Sequence, residues 1–186
     1  MNIILPGSKI PPGLKGNGIS LEGNEAFANV VGMIDDEKGQ FIPLEGLWYP
    51  KPGDTVIGTV ISTHVGVYVI DLDSPYKGII MAKYEHTRFE EGDIVMLTRP
   101  KKLYGGILLK IKPPKIPRVI GRGNTMINQI TEATKSSIIV GMNGTIWLKG
   151  GDINLASEAI KIIEAEAHVS GLTDKIKNML EERKKR

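Results

Sequence analysis

The stretch of chain with the most chemistry in it reads Pro117-Arg118-Val119-Ile120-Gly121-Arg122-Gly123-Asn124-Thr125-Met126-Ile127. Glycine lets a backbone approach a ligand closely and take positive φ, and arginine presents a planar, always-charged fork to phosphate. Together they suit gripping the backbone of a polyanion. Gly121 supplies the close approach, Arg122 the charge and Gly123 the permissive dihedral. Asn124 is one of the few other residue types that visit the left-handed region, so the turn can persist there, with a side chain standing near the backbone contact. The Gly121-x-Gly123 pair is not a dinucleotide fingerprint, because the third glycine, the preceding strand of a βαβ unit and the downstream acid are absent.

The surrounding charge points the same way. Acids cluster early, at Glu22, Glu25, Asp35, Asp36 and Glu37, whereas no Asp or Glu occurs from Ile94 to Thr131. That window carries Arg99, Lys101, Lys102, Lys110, Lys112, Lys115, Arg118 and Arg122, although the net charge of the whole chain is only +3. An acid-free basic segment is the footprint of a face that binds phosphates and releases their counterions. A solvated surface with a chance gap in acids is the plain alternative.

Other chemistries find little support. Zero cysteines exclude a disulfide framework, a thiol nucleophile and a cysteine-ligated zinc site. His64, His86 and His168 lack metal-ligand spacing, and no Ser or Thr sits in a nucleophile motif. Asp71-x-Asp73 could hold a hard divalent ion, but two carboxylates leave most of its ligands unsupplied. No catalytic residue, metal or cofactor is expected. No stretch of about eighteen apolar residues exists to cross a bilayer, and Met1 to Gly7 shows no export signal, so a cytoplasmic protein is expected.

With 186 residues, 41% hydrophobic and 24% charged, the chain can hold two or three small modules with cores of their own. Residues 1–50 read as a small β-module with strands at 2–5, 26–33 and 40–44, broken by Pro6-Gly7, Pro11-Pro12-Gly13, Glu22-Gly23-Asn24 and Lys38-Gly39. After the hinge Tyr49-Pro50-Lys51-Pro52-Gly53-Asp54, residues 51–104 read as a small barrel with strands at 55–63, 65–72, 78–81 and 93–98. Its closing strand is expected to be shared with the start of the next domain. Residues 105–186 open with a strand at 106–112. The periodicity then predicts a helix at 125–135, two strands at 137–140 and 145–148 joined by Gly141-Met142-Asn143-Gly144, in which Asn-Gly is a hairpin turn signal, a long helix over 152–169 capped by Asp152, and a last helix capped by Thr173. The chain ends in the charged run 181–186.

That order of strand, basic proline linker, glycine loop, helix, hairpin and long helix resembles a type I KH domain, in which a Gly-x-x-Gly turn beside an apolar groove holds about four nucleotides. Gly53-Asp54-x-Val56-x-Gly58-x-Val60 followed by Val65-Gly66-Val67-Tyr68-Val69 resembles the RNA-binding OB fold of the ribosomal protein S-one family. Such barrels stack bases on exposed aromatics and track phosphates with basic side chains. Here Tyr68 is kept, while Val65 and Met81 stand where that family often carries an aromatic and a histidine, so the resemblance implies weak stacking. His64, Tyr76 and Lys77 are further candidate contacts. The fold class expected is therefore multidomain: a mainly β N-terminal half, module plus OB-type barrel, followed by an α/β KH domain.

The combination resembles the KH-containing cap subunits of the archaeal RNA exosome. It rests on Leu5-Pro6-Gly7, Ala28-Asn29-Val30-Val31-Gly32, Asp71-Leu72-Asp73-Ser74-Pro75-Tyr76, Lys115 to Gly121, and Gly141-Met142-Asn143-Gly144 followed by Ile146-Trp147. The resemblance implies that Gly141, Asn143 and Gly144 pack against the barrel instead of gripping RNA. It also implies a non-catalytic subunit, three copies of which sit on a hexameric ring of RNase PH-like subunits, bind single-stranded RNA with a preference for A-rich tails, and promote its degradation from the 3′ end.

The residues support three readings. In the first, an RNA-binding cap with a free-standing KH and OB single-stranded RNA-binding protein as its alternative, Lys112, Lys115, Arg118 and Arg122 contact phosphates, Gly121, Gly123 and Asn124 form the backbone-gripping turn, and Tyr68, Lys77, Arg99, Lys101 and Lys102 guide a strand toward a pore. In the second, the chain is chiefly a scaffold and its KH fold a wedge. In the third, Asp71 and Asp73 hold Mg²⁺ in a cryptic nuclease.

Overall fold

The computed structural model describes residues 3–36, 38–84, 87–169 and 171–184, with the side chains of Tyr84 and Lys184 outside that description; His86 and the end of the charged tail fall outside it too. The chain forms two compact units, one of residues up to Leu47 with Lys112–Pro114, the other of Trp48–Ile111 with Lys115 onward.

The first unit carries two three-stranded antiparallel sheets. Strands β1 (Ile3–Ile4), β5 (Gly32–Asp35) and β6 (Gln40–Pro43) form one; β2 (Lys9–Ile10), β4 (Glu25–Ala28) and β3 (Ile19–Glu22) form the other. The expected single strand at 26–33 is two strands. After Ala28 the chain leaves the β2–β4–β3 sheet, Asn29 N–H bonding to the Gly18 carbonyl, and it enters the β1–β5–β6 sheet at Gly32. Gly32 has no room for a side chain, since a Cβ there would lie 2.2 Å from the Phe41 ring. Strand β3 was not expected; its partner β4 comes after a two-residue turn, with Gly23 at φ 63. Ile10, Ala26, Ala28 and Phe41 form the core of this unit.

The second unit begins with a five-stranded antiparallel sheet in the order β11 (Lys101–Lys102), β10 (Ile94–Met96), β7 (Ile57–His64), β8 (Val67–Asp71), β9 (Lys77–Met81). Its inner face lines a core of Val60, Ile70, Leu72, Ile80, Phe89 and Val95. The sheet curls on itself: a Cβ on Gly78 of β9 would meet Leu97, just past β10, at 2.4 Å although those strands are not hydrogen-bonded neighbours. Glycine there allows the two ends of the sheet to meet, as a small barrel requires. The fifth strand is the two-residue β11 and is not shared with the next domain, correcting the expectation of a shared closing strand.

The remainder follows the βααββα order of a type I KH domain. β12 (Ile107–Lys110), β14 (Thr145–Lys149) and β13 (Ser137–Val140) form an antiparallel sheet, with α1 (Ile116–Ile120), α2 (Thr125–Thr134), α3 (Ile153–Ala165) and α4 (Leu172–Lys184). The apolar spacing puts Met126 and Ile130 of α2, and Ala156, Ala159, Ile160 and Ile163 of α3, in one core with Ile146, Leu148 and Ile176. Asp152 caps α3 as expected, its Oδ1 accepting the Leu155 N–H at 2.9 Å. α3 ends at Ala165, four residues short of the expected Val169. Thr173 is not a cap: α4 starts at Leu172, and Thr173 lies inside its first turn.

The other face of the KH sheet packs on the barrel. Trp147 joins Ile57 and Leu103 in a buried cluster, with Ile94, Met96, Leu108 and Ile139 against it. Helices on one side and barrel on the other make the KH sheet the middle layer of the unit.

Candidate nucleic-acid interface

The glycine loop sits between α1, which Pro117 can enter because its missing N–H falls in the first turn, and α2. Gly121 has φ 74, ψ 170, followed by Gly123 at φ 58, ψ 32 and Asn124 at φ 66, ψ 14. Asn124 thus takes the left-handed conformation expected of it. A Cβ on Gly121 would meet Met126 at 2.8 Å, whereas nothing lies within 4 Å of one on Gly123. The first glycine is therefore fixed by packing against α2 and the second by its dihedral, facing open solvent. Arg118, Arg122, Gly123 and Asn124 are exposed, and Lys115 is half-buried with a partner of its own.

The acid-free basic window does not stay acid-free once folded. Lys102 reaches Asp93 at 2.7 Å, Lys110 reaches Asp73 at 3.2 Å, and Lys112 reaches Glu45 at 2.6 Å within the first unit. Lys77 pairs with Asp71 across β8 and β9 at 2.6 Å, and this hydrogen bond is the main reason the Asp71 carboxyl is held below its ordinary pKa. For Asp93, burial raises the pKa. The Lys102 hydrogen bond, the Glu90 N–H and the Lys102 charge together outweigh it and leave the group lowered, while the same hydrogen bond raises Lys102. Arg99, Lys101, Arg118 and Arg122 make no ion pair among the described residues. These four, all exposed, keep their charge for a ligand.

Tyr68 is half-buried, its ring edge-on to Phe89 at 5.2 Å and packed on the barrel core, so little of its face is offered to a base. Tyr76 and Tyr49 are more exposed and meet each other at 6.3 Å. His64 bonds Ser62 at 2.8 Å on the surface. Asp71 and Asp73 each face a lysine ammonium, which competes with any cation they could hold.

Gly141, Asn143 and Gly144 are buried against the barrel. The expected link Gly141–Gly144 joins the two strands, centred on Met142-Asn143 with Gly144 at φ 85 after it. That geometry turns the Asn143 side chain outward onto the barrel. Its Nδ2 donates to the carbonyls of Ile57 and Leu72, both at 2.8 Å, and its Oδ1 accepts the Ile57 N–H at 3.4 Å. Met142 N–H adds a bond to the Thr55 carbonyl at 2.7 Å. A Cβ on Gly141 would collide with Asn143 Oδ1 at 2.5 Å.

Fold and loop together define a KH-domain protein that carries a β-barrel welded to its sheet. A KH domain family model matches residues 106–154. The exosome complex component Rrp4 of Pyrococcus furiosus is 35% identical over 96% of this chain and 82% of its own length. The same component of Methanobrevibacter smithii is 34% identical over 96% and 70%, and that of Methanothermus fervidus 32% over 96% and 95%. A crystal structure assigned as an exosome complex RNA-binding protein superposes with a TM-score of 0.66 at 27% identity, covering 75% of this chain and 98% of its own. The chain belongs to the Rrp4 family of exosome complex components.

Proposed function

We propose that this chain is a non-catalytic, RNA-binding component of an exosome, which captures single-stranded RNA and passes it to a catalytic ring. The observation that carries the RNA half is the loop Gly121–Asn124, in which Gly123 and Asn124 are exposed and left-handed, with Arg118 and Arg122 beside them in sequence, neither engaged by an acid among the described residues. Phosphates approach such a backbone closely, and the two guanidiniums neutralise them. Lys112 and Lys115 extend the same strip in sequence; Arg99 and Lys101, with Lys77, Lys102 and Tyr68 as further candidates on the barrel strands, supply a second contact region. We further propose, as the resemblance to archaeal exosome cap subunits implies, three copies on a hexameric ring of RNase PH-like subunits, an A-rich preference, and a cytoplasmic complex. We assign the module, barrel and KH domain to 1–50, 51–104 and 105–186. No helix among the described residues is long and apolar enough to cross a membrane.

A second reading is favoured by the β13–β14 turn, which is spent on docking the barrel: the KH fold is a structural wedge and RNA is held elsewhere. Reversing charge at both sites, Arg118→Glu with Arg122→Glu, separates the two. RNA capture by the assembled complex should fall at least tenfold; unchanged capture supports the wedge. Native mass spectrometry of the tagged chain recovered from its own cells tests the partnership, and a lone monomer would remove the exosome assignment.

A further inference from the structure

The acid-free window also carries an aromatic that the candidate contacts leave out. Tyr104 is 63% exposed, in the link between β11 and β12. An exposed tyrosine is ordinary by itself, but this one stands on a backbone anchored on both sides. Leu103 before it is buried with Ile57 and Trp147, and its N–H donates to the Ile94 carbonyl at 2.8 Å. The Gly105 carbonyl after it accepts the Trp147 Nε1–H at 2.8 Å. Gly106, at φ 90, lies so close to β14 that a Cβ there would come within 2.3 Å of the Leu148 carbonyl oxygen. The ring is thus presented from a rigid link while the link's own apolar and polar groups are satisfied inward.

One cation lies at the ring and a second beside the next residue. Lys102 Nζ lies 5.3 Å from its centroid, a cation–π distance, and is held there by Asp93. Lys149, exposed on β14, places its Nζ 3.8 Å from where a Gly105 Cβ would stand. An exposed aromatic ring with Lys149 beside the next residue, and Arg99 and Lys101 on the same short stretch of chain, suits an unpaired nucleobase on the ring and its phosphates on these cations.

We infer that Tyr104 is a base-stacking subsite for single-stranded RNA at the junction of barrel and KH domain, with Lys149 as its phosphate contact. This rests on the RNA-binding reading above. The full-length chain is titrated into fluorescently labelled single-stranded RNA and followed by anisotropy. Tyr104→Ala weakens binding by about tenfold, the size of one base–aromatic stack, whereas Tyr104→Phe stays within about twofold, as a stack without need of the hydroxyl predicts. With RNA of the same length carrying abasic residues, wild type and Tyr104→Ala bind alike. Equal binding of Tyr104→Ala and wild type to intact RNA overturns the subsite and leaves the RNA-binding reading standing. Wild type that fails to bind any RNA sinks that reading itself. A Tyr104→Ala chain that keeps its RNA affinity but no longer enters the complex reassigns the ring to a protein contact.

Discussion

The Asn143 carboxamide stands in for a strand at the edge of the barrel, offering one acceptor and two donors to backbone groups of Ile57 and Leu72 that would otherwise be buried unpaired. Removing it strands one N–H and two carbonyls at a site where Asn143 itself is only 4% exposed. Asn143→Ala should therefore lower the unfolding free energy by about 3 kcal/mol, read by urea denaturation of the full chain. Asn143→Asp should cost more, because a carboxylate faces two carbonyl oxygens. A wild-type midpoint for both would show that the turn docks without energetic consequence. The Gly-Met-Asn-Gly turn was visible in the sequence, and its packing role was implied by resemblance, but the destination of the side chain was not readable: Ile57 lies 86 positions away. Asn124 was more legible. Its conformation is a local backbone property, and few residue types share it.

At the scale of elements, the two-residue strand β11 has a visible dependence on charge. It pairs only with β10, and besides the burial of Leu103 its hold on the barrel includes Lys102 bonding Asp93 Oδ1 while Asp93 Oδ2 accepts the Glu90 N–H at 2.8 Å. Asp93 has a folded pKa below its ordinary 3.8. A lowered carboxylate contributes stability that is complete above the unfolded pKa and lost as pH falls through the folded value. Thermal unfolding should therefore show a loss of stability on acidification from about pH 5 towards pH 2, and Asp93→Asn should flatten that slope while leaving a lower melting temperature at neutral pH. An unaltered acid slope would place the dependence on other carboxylates. Elements with long periodic patterns, α2 and α3, were legible to within a few residues. β11 and β3 were not, because strands of two to four residues carry too short a pattern to separate from a turn. The break at Asn29 escaped for a different reason: it is made by bonds to Gly18 and by the fit of Phe41 over Gly32, neither of which is local.

For the molecule as a whole, the sequence showed a basic window but not which of its charges survive folding. Lys102, Lys110 and Lys112 are met by acids from outside the window, brought in by barrel and module. Composition cannot anticipate such pairings, since they depend on chain distances of up to 67 residues. What remains is a smaller set, Arg99 and Lys101 on the barrel and Arg118 and Arg122 on the KH domain, within one compact unit. If all four meet phosphates, single-stranded RNA binding should fall with salt with a log–log slope of about −2.8, roughly a 50-fold loss between 50 and 200 mM. Reversing Arg118 and Arg122 should at least halve the slope, and the ion-paired Lys110 should add little: Lys110→Gln should leave it unchanged. A salt-insensitive affinity would mean that these charges do not meet phosphates. A steeper slope that Lys110→Gln reduces would mean that the ion pairs open when RNA binds, so that the eight basic residues of the window act together as the sequence alone suggests.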